Sequence, residues 1–286
     1  MPRVAIPGGV WRNDSQRTAE PLREVALRPA GGEDEAFLID SADQATPSER
    51  ATGLLVRCVE EPDADRLVRS LTIGDREALL LHLRRITLGD TLDCVLSCPA
   101  NCGERMEFEL RVDDLLVPAY RDVHAEYDVT LEAEGRRYDV TFRLPIAADL
   151  DRAAPIARSD ALRGARTLLE CCVVRAARDE GVATPDELPL PVQEAIAKAM
   201  AKRDPQAEIE LDLACPQCGT AFAIVFDTAA FLLQELDERA AHLAQEVHTL
   251  AWHYHWSERE ILGMPRRRRT RYLELVADAL ARARAP

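Results

Sequence analysis

Two stretches of the sequence decide the fold, Cys98-Pro99-Ala100-Asn101-Cys102-Gly103 and Cys215-Pro216-Gln217-Cys218-Gly219. Each has the form Cys-Pro-(one or two residues)-Cys-Gly, a tight turn that directs two thiolates to one point, with a glycine to supply the unusual dihedral angles that close it. Two such turns together match the four-thiolate set of a structural zinc site. We therefore predict one structural Zn²⁺ per chain, bound by Cys98, Cys102, Cys215 and Cys218.

The residues on either side of the two turns also match. Alternating apolar residues predict a strand before and after each turn: Leu92, Cys94, Leu96 and Met106, Phe108, Leu110 around the first, and Ile209, Leu211, Leu213 and Phe222, Ile224, Phe226 around the second. A strand-turn-strand unit is thus used twice. We call each Cys-Pro-(one or two residues)-Cys-Gly turn a knuckle. The pattern predicts a zinc-ribbon-like β unit built from two knuckles that are distant in sequence.

The predicted metal site closes a loop of 112 residues, from Gly103 to Ala214. Closing such a loop costs roughly 4 to 5 kcal/mol, whereas a structural zinc site contributes roughly 10 to 16 kcal/mol in peptides. The free energy of metal binding therefore exceeds the cost of closing the loop.

The alternative to a shared metal site is two unrelated cysteine pairs, either surface thiols or disulfides. Four thiolates leave no open coordination position, which favours a structural role for the metal over a catalytic one.

The other four cysteines fit packing roles. Cys94 aligns with Leu211 of the second unit, Cys171 and Cys172 lie on an apolar helix, and Cys58 ends another. The amino terminus has no apolar run that resembles a signal peptide. Eight cysteines in such a chain predict a reducing, cytoplasmic location and no disulfide.

Composition restricts the class of partner. The chain has 286 residues, 47% of them apolar, and 50 Asp plus Glu against 36 Lys plus Arg, for a formal charge of −14. No stretch approaches the roughly 20 uncharged apolar residues of a membrane helix. The negative charge disfavours nucleic acid and anionic membranes as partners, so we expect protein partners.

The sequence predicts an α+β protein with four segments. These are a mobile amino-terminal arm (1–22), a mostly helical region (23–90), the zinc-ribbon-like β unit (91–227) with a β-hairpin and helical insert at about 112–207, and a helical carboxy-terminal region (228–286).

Local signals predict the elements within these segments. They indicate a strand at Arg23–Leu27, helices beginning near Glu33, after Thr46 and after Thr72, and a hairpin that turns at Glu134-Gly135. Further helices are predicted over Asp160–Arg178 and Pro191–Lys202, together with a long helix capped by Asp227. A short helix follows Ser257, and a last helix runs from Pro265 to about Ala283. The apolar stripe of the long helix packs on its own domain or on a partner helix.

The last third of the chain contains an aromatic cluster and a basic run. Trp252, Tyr254, Trp256, Ile261 and Leu262 are candidate partner contacts, with a core formed by the last helices as the alternative. Arg266, Arg267, Arg268 and Arg269 are further candidates. The alternatives for these arginines are a solvated face, pairing with Glu258 and Glu260, or nucleic-acid binding.

Three segments resemble the T4-like baseplate hub assembly chaperone family of contractile phage tails and contractile injection systems. They are Leu71 to Leu80 with Gly89-Asp90, the two cysteine pairs, and the tail from Glu246 through Trp256 to Leu273; the resemblance spans roughly residues 23 to 280. It implies a non-enzymatic role in assembling the baseplate hub, through hub or spike-complex subunits. It also implies a location in the cytoplasm of the producing bacterium, with association with the particle as the alternative.

Three other functions remain open from the residues alone. The first is a stoichiometric baseplate component, and the second a nucleic-acid-binding zinc ribbon, which the acidic residues on the predicted strands disfavour. The third is an enzyme, for which the sequence shows no phosphate-binding glycine loop, no nucleophile elbow and no histidine and carboxylate metal set.

Overall fold

The computed structural model describes residues 2–10, 21–100, 102–179 and 181–284. The strands are β1 (Arg3–Val10), β2 (Leu22–Ala26), β3 (Thr91–Ser97), β4 (Arg105–Arg111), β5 (Tyr127–Ala133), β6 (Arg136–Phe142), β7 (Val173–Arg178), β8 (Gly181–Ala183), β9 (Ile209–Ala214) and β10 (Ala221–Phe226).

The helices lie between pairs of these strands and after the last one. They are α1 (Gly32–Ser41), α2 (Pro47–Cys58), α3 (Ala64–Arg69), α4 (Ile73–Leu88), α5 (Val112–Leu115), α6 (Ala147–Ala157), α7 (Ala161–Cys172), α8 (Leu190–Arg203), α9 (Thr228–Ala240), α10 (Leu243–Tyr254), α11 (Glu258–Leu262) and α12 (Arg266–Arg284). The predicted α+β class is confirmed.

The first hydrophobic core joins both ends of the sequence. It combines buried residues of β1, β2, α1, α2, α3 and α4 with residues 229–236 of α9. Side-chain capping fixes the starts of two of these helices, because Thr46 and Thr72 each accept a hydrogen bond from the backbone amide three residues later. We call the elements of this core the amino-terminal body, and α9 packs within it.

The prediction of an irregular, mobile arm over residues 1–22 is wrong for Arg3–Val10. This segment is β1, and it pairs antiparallel with β2 so that Val4 lies opposite Val25. Ile6 is only 1% exposed. Burial of these apolar side chains offsets the entropy of ordering the segment. Residues 11–20 of the predicted arm lie outside the described residues.

The insert forms a second core around a four-stranded sheet in the order β5-β6-β7-β8. The sequence predicted a helix through Arg178, but α7 ends at Cys172 and β7 follows at once. Both Cys172 and Ala176 are buried. Their spacing of four fits a helix face and also a strand face, so the pattern could not separate the two structures.

The two cysteine units form two separate antiparallel hairpins, β3-β4 and β9-β10. Apolar residues from both hairpins share one cluster, in which Leu92 and Cys94 of β3 lie with Ile209 and Leu211 of β9. The predicted strand-turn-strand unit is confirmed for both halves. The two sheets are not joined by strand pairing between β3-β4 and β9-β10.

The predicted long helix after Asp227 is divided into α9 and α10 by a turn at residues 241–242. Neither proline nor glycine marks this turn, and Ala240 and Leu243 are buried on either side of it. Ser257 and Glu260 form the predicted capping box of α11. Among the described residues, no helix is both long and apolar enough to cross a lipid bilayer.

Candidate metal centre

Each knuckle directly follows a strand and is closed by backbone hydrogen bonds. The amide of Cys98 donates to the carbonyl oxygen of Glu104 at 2.9 Å, and the amide of Cys215 donates to that of Thr220 at 2.9 Å. Because the strands on both sides are paired in register, the position of each first cysteine is fixed by its hairpin.

The glycine after each second cysteine adopts the conformation that the sequence pattern predicted. Gly103 has a φ of 81° and Gly219 a φ of 74°. L-amino acids with a side chain rarely adopt such angles. The two turns therefore share a glycine with positive φ after the second cysteine, although their cysteines are four residues apart in the first turn and three in the second.

The four predicted ligands lie together, with all four Sγ atoms within 4.8 Å of one another. The Cys98 and Cys218 sulfurs are 3.7 Å apart and the Cys102 and Cys215 sulfurs 3.6 Å apart. A zinc ion at about 2.3 Å from each sulfur of a regular tetrahedron would place the sulfurs about 3.8 Å apart. The donor set and its dimensions thus fit a tetrahedral metal ion held between the two knuckles.

One side of the cluster is packed and the other is open to solvent. Cys98 and Cys215 are buried with Met106, whereas Cys102 and Cys218 are exposed. Leu96 and Phe222, one from each hairpin, pack against the buried sulfurs. The site therefore lies at the rim of the protein, where a metal can enter without passing through the core.

The thiols of the cluster differ in their pKa values. Hydrogen bonds from the side chain and the backbone of Thr220 lower the pKa of Cys218 to about 6. The backbone of Glu104 lowers the pKa of Cys102, but hydrogen bonds with the neighbouring thiols outweigh this effect and raise it to about 12. One sulfur is thus ready to bind as thiolate, and a dication favours deprotonation of the others.

The remaining cysteines lie away from this cluster. Cys58, Cys94 and Cys172 are buried and Cys171 is half-buried. Burial raises the pKa of Cys58 and of Cys172 to about 12, so both remain neutral thiols. Their predicted role as small packing residues is confirmed for the buried three.

The predicted aromatic contacts divide into exposed and packed residues. Trp252 is 71% exposed. Tyr254 and Trp256 are half-buried and stack with their ring centroids 4.5 Å apart, with Tyr272 at the edge of both rings. Half-buried Leu262 stays accessible. Ile261, in contrast, is fully buried and cannot be a surface contact, because its side chain faces the interior.

The four predicted arginines also occupy different environments. Arg267 and Arg268 are exposed and Arg266 is half-buried. Arg269 is fully buried, with Nη2 2.6 Å from Glu35 and Nε 3.0 Å from Glu246, so it is not available to a partner. The intramolecular acceptors are these two residues and not the predicted Glu258 and Glu260.

Sequence patterns missed the residues that surround this arginine. Glu35 is 1% exposed and meets Arg239 of α9 as well as Arg266 and Arg269 of α12. A glutamate in the first turn of a helix usually indicates only a favourable interaction with the helix dipole. Its role as a buried anchor depends on segments that lie more than 200 residues away, and no local signal marks it.

These features define a mixed α+β protein with a four-cysteine cluster that could bind a metal ion. The family model described as T4 bacteriophage base plate protein matches residues 14–233. The chain therefore belongs to the family of T4 bacteriophage base plate proteins. No curated protein and no solved structure shows significant similarity to it.

The family match agrees with the resemblance found in the sequence and includes all four cysteines. It ends within α9, so the aromatic cluster and the basic run lie outside it. The match supports association with a phage baseplate, with proteins as partners. It does not extend to an assembly-chaperone role.

Proposed function

We propose that the protein is a non-enzymatic assembly factor for the hub of a contractile baseplate, and that its four cysteines hold a structural zinc ion. Membership of the baseplate family is the observation that carries the proposal. Exposed Trp252 and the accessible arginines Arg267 and Arg268, which lie outside the family match, are the proposed partner contacts.

Zinc is the proposed metal because the donor set consists only of sulfur. Tetrahedral sites of four thiolates favour Zn²⁺ or iron among the common metals, and all four positions are filled by the protein. When bound, the ion would join the two hairpins. Cys98, Cys102, Cys215 and Cys218 would each supply one thiolate, and the site would have no position for substrate.

The metal proposal is tested by comparing two buried cysteines. Cys98→Ser should reduce bound zinc from about one ion per chain to a small fraction, because three ligands bind far more weakly. Cys94→Ser, on the strand β3 that leads into Cys98 but outside the cluster, should retain the zinc. Metal analysis of the purified variants would measure both. Equal zinc contents in the two variants, or iron in place of zinc, would contradict the proposal.

The assembly role is tested in a producing strain that lacks the protein. We expect baseplates without a complete hub, rescue by the wild-type chain, and no protein at fixed stoichiometry in purified particles by mass spectrometry. Normal baseplates in the deletion strain would refute any role in assembly. A fixed copy number in the finished particle would instead identify a structural component.

A nucleic-acid-binding role is the less favoured alternative, because the outer faces of both hairpins are acidic. Asp93 lies directly opposite Glu109 across β3-β4, and Asp212 projects from β9. Such faces repel phosphates, whereas a nucleic-acid-binding ribbon carries basic and aromatic residues.

A further inference from the structure

A large open groove lies between α9 and α12, beside the carboxy-terminal end of α4. Its volume is about 1530 Å³, which exceeds the roughly 300–1,000 Å³ of a typical small-molecule site. The half-buried apolar residues along it are Ile86, Leu88, Leu262 and Met264. The groove therefore has room for a polypeptide segment and offers it apolar contacts.

The two walls of the groove differ in charge. On the α12 wall, Arg267 has no ion-pair partner among the described residues, and Arg271 pairs only with exposed Glu274 at 3.0 Å. Exposed pairs of this kind contribute little and are easily exchanged. On the α9 wall, Arg84 neutralises Glu235 at 2.8 Å. Glu238 on α9 accepts a hydrogen bond from Gln234.

Beneath the α12 wall, the charges around buried Glu35 and Arg269 are also unbalanced. Arg239, Arg266 and Arg269 pair with the carboxylate of Glu35, and within the described part of the chain Glu246 is the one other carboxylate that pairs with these arginines. Three cations against two anions leave one positive charge. Burial lowers the pKa of Arg239; Glu35 opposes this effect, while Arg266 and Arg269 add to it. Partly buried charge is screened less than exposed charge, so the excess makes the α12 wall more positive, opposite the exposed carboxylate of Glu238 on the α9 wall.

We infer that this groove binds an acidic segment of a partner protein, with carboxylates at Arg267 and Arg271 and an apolar side chain against the half-buried residues. The inference depends on the proposed assembly role at one point, which is that the partner is a protein. Residues 261–273 contain five arginines and no acidic residue, in a chain with an excess of 14 negative charges. The groove is thus a local site where this acidic protein can attract an acidic partner.

Charge and shape favour a peptide over the other polyanions. Recognition of acidic motifs by arginine clusters is an established binding mode. A nucleic-acid duplex would need an extended basic surface, and the net charge of the chain would repel it. The groove is larger than a single phosphate ion requires. A phosphate ion would also gain nothing from contact with the half-buried apolar side chains.

The experiment uses the full zinc-loaded chain and a fluorescent synthetic peptide that presents glutamates on one helical face and leucines on the other. A matched peptide has glutamine at every glutamate position. We expect the glutamate peptide to bind at least roughly tenfold more tightly, a difference of about 1.4 kcal/mol, and its affinity to fall as salt increases. Equal binding of the two peptides would overturn the inference.

The double variant Arg267→Glu and Arg271→Glu should weaken binding of the glutamate peptide by roughly tenfold or more. Its matched control is Arg163→Glu with Arg282→Glu, which changes the same charge at exposed arginines that do not line the groove. The control should bind as the wild type does, and both variants should melt cooperatively. Equal losses in the two double variants would mean that only net charge matters, and would overturn the inference.

Competition and sedimentation test the other occupants. Displacement of the peptide by inorganic phosphate or by duplex DNA at lower concentration than by unlabelled peptide would overturn the inference. Self-association of the wild type that Arg267→Glu with Arg271→Glu abolishes would assign the groove to a second copy and also overturn it. A failure to bind peptide, together with defective baseplates in the deletion strain, would reject the groove and leave the assembly role standing.

Discussion

At the scale of single residues, the carboxylate of Asp75 is fully buried where β1 lies against the start of α4. Its Oδ1 accepts a hydrogen bond from the amide of Gly8 at 2.7 Å, while Oδ2 has no hydrogen-bond partner. Burial raises the pKa of Asp75 to about 7, the hydrogen bond from Gly8 opposes the shift, and buried Asp204 adds to it. The Asp75 side chain therefore connects β1 to α4. Ionisation of this buried carboxylate reduces the stability of the folded state.

Replacement of Asp75 by Asn should change the pH dependence of stability. The pKa of Asp75 is about 7 in the folded state against 3.8 ordinarily, so the folded chain holds more protons between these values. Stability then falls as pH rises from about 4 to about 7. Asp75→Asn keeps an acceptor for Gly8 and removes the ionisation. We expect it to raise the free energy of unfolding at pH 8 by about 1 to 4 kcal/mol, and by much less at pH 4.

Urea unfolding at several pH values would measure this effect. Asp65→Asn is the matched control, because Asp65 is exposed and pairs with Arg69 on the surface of α3. That variant should change stability by less than about 1 kcal/mol. The same pH slope in Asp75→Asn and in the wild type would show that the carboxylate does not titrate as proposed.

Residue chemistry in this protein could be predicted where it depends on local sequence. Thr72 caps α4 as its position indicates, and the four cysteines meet as their spacing indicates. In the sequence, Asp75 is simply a residue of the first turn of the helix that is predicted after Thr72. Its bond to Gly8 depends on the packing of β1, which the sequence around Asp75 does not specify.

At the scale of secondary-structure elements, the β5-β6 hairpin turns at the two residues that the sequence predicted. Glu134 and Gly135 both have positive φ, 54° and 72°, between the paired residues Ala133 and Arg136. Two residues with positive φ define the turn type that suits the twist of a two-residue hairpin. Glycine adopts this conformation without strain, but glutamate does not.

Substitution of Glu134 by Asn should therefore stabilise the protein. Asparagine tolerates the left-handed conformation better than glutamate, so we expect a gain of about 0.5 to 1 kcal/mol in the free energy of unfolding. Chemical denaturation would measure it. Glu132→Asn, at an exposed position within β5, is the control and should be neutral or slightly destabilising, since asparagine disfavours strands. A gain in both variants would point to the charge and not to the backbone.

Other elements could not be predicted because their patterns are ambiguous or their partners distant. The segment Val173–Arg178 carries a spacing that suits both helix and strand, and its pairing with β6 decides the outcome. β1 contains proline and two glycines, which usually mark loops. It is a strand because β2 supplies hydrogen bonds and the first core accepts its apolar side chains.

At the scale of the whole molecule, contacts other than the cysteine cluster also close the chain. Arg50 of α2 pairs with Asp237 at 2.6 Å, and Arg84 of α4 pairs with Glu235 at 2.8 Å, so α9 is tied to the amino-terminal body by charge as well as by apolar packing. These pairs span more than 150 residues, and no pattern in the sequence relates their members. The cysteine pairs could be related because each repeats the same motif.

Removal of the metal should consequently loosen the hairpins without unfolding the molecule. We expect a chelator to increase hydrogen exchange strongly in β3-β4 and β9-β10, because the four unbound sulfurs no longer hold the two knuckles together. Amides of α2, α4 and α9 should remain protected, since none of the buried residues described in the first core belongs to the cysteine cluster. Hydrogen exchange followed by mass spectrometry, before and after zinc is restored, would measure both responses.

Cys98→Ser supplies the control, because the amides of its hairpins should already exchange fast and should not respond to the chelator. Unchanged protection of the wild-type hairpins would show that the ion is not structural, whereas loss of protection throughout α2, α4 and α9 would show that the amino-terminal body also depends on it.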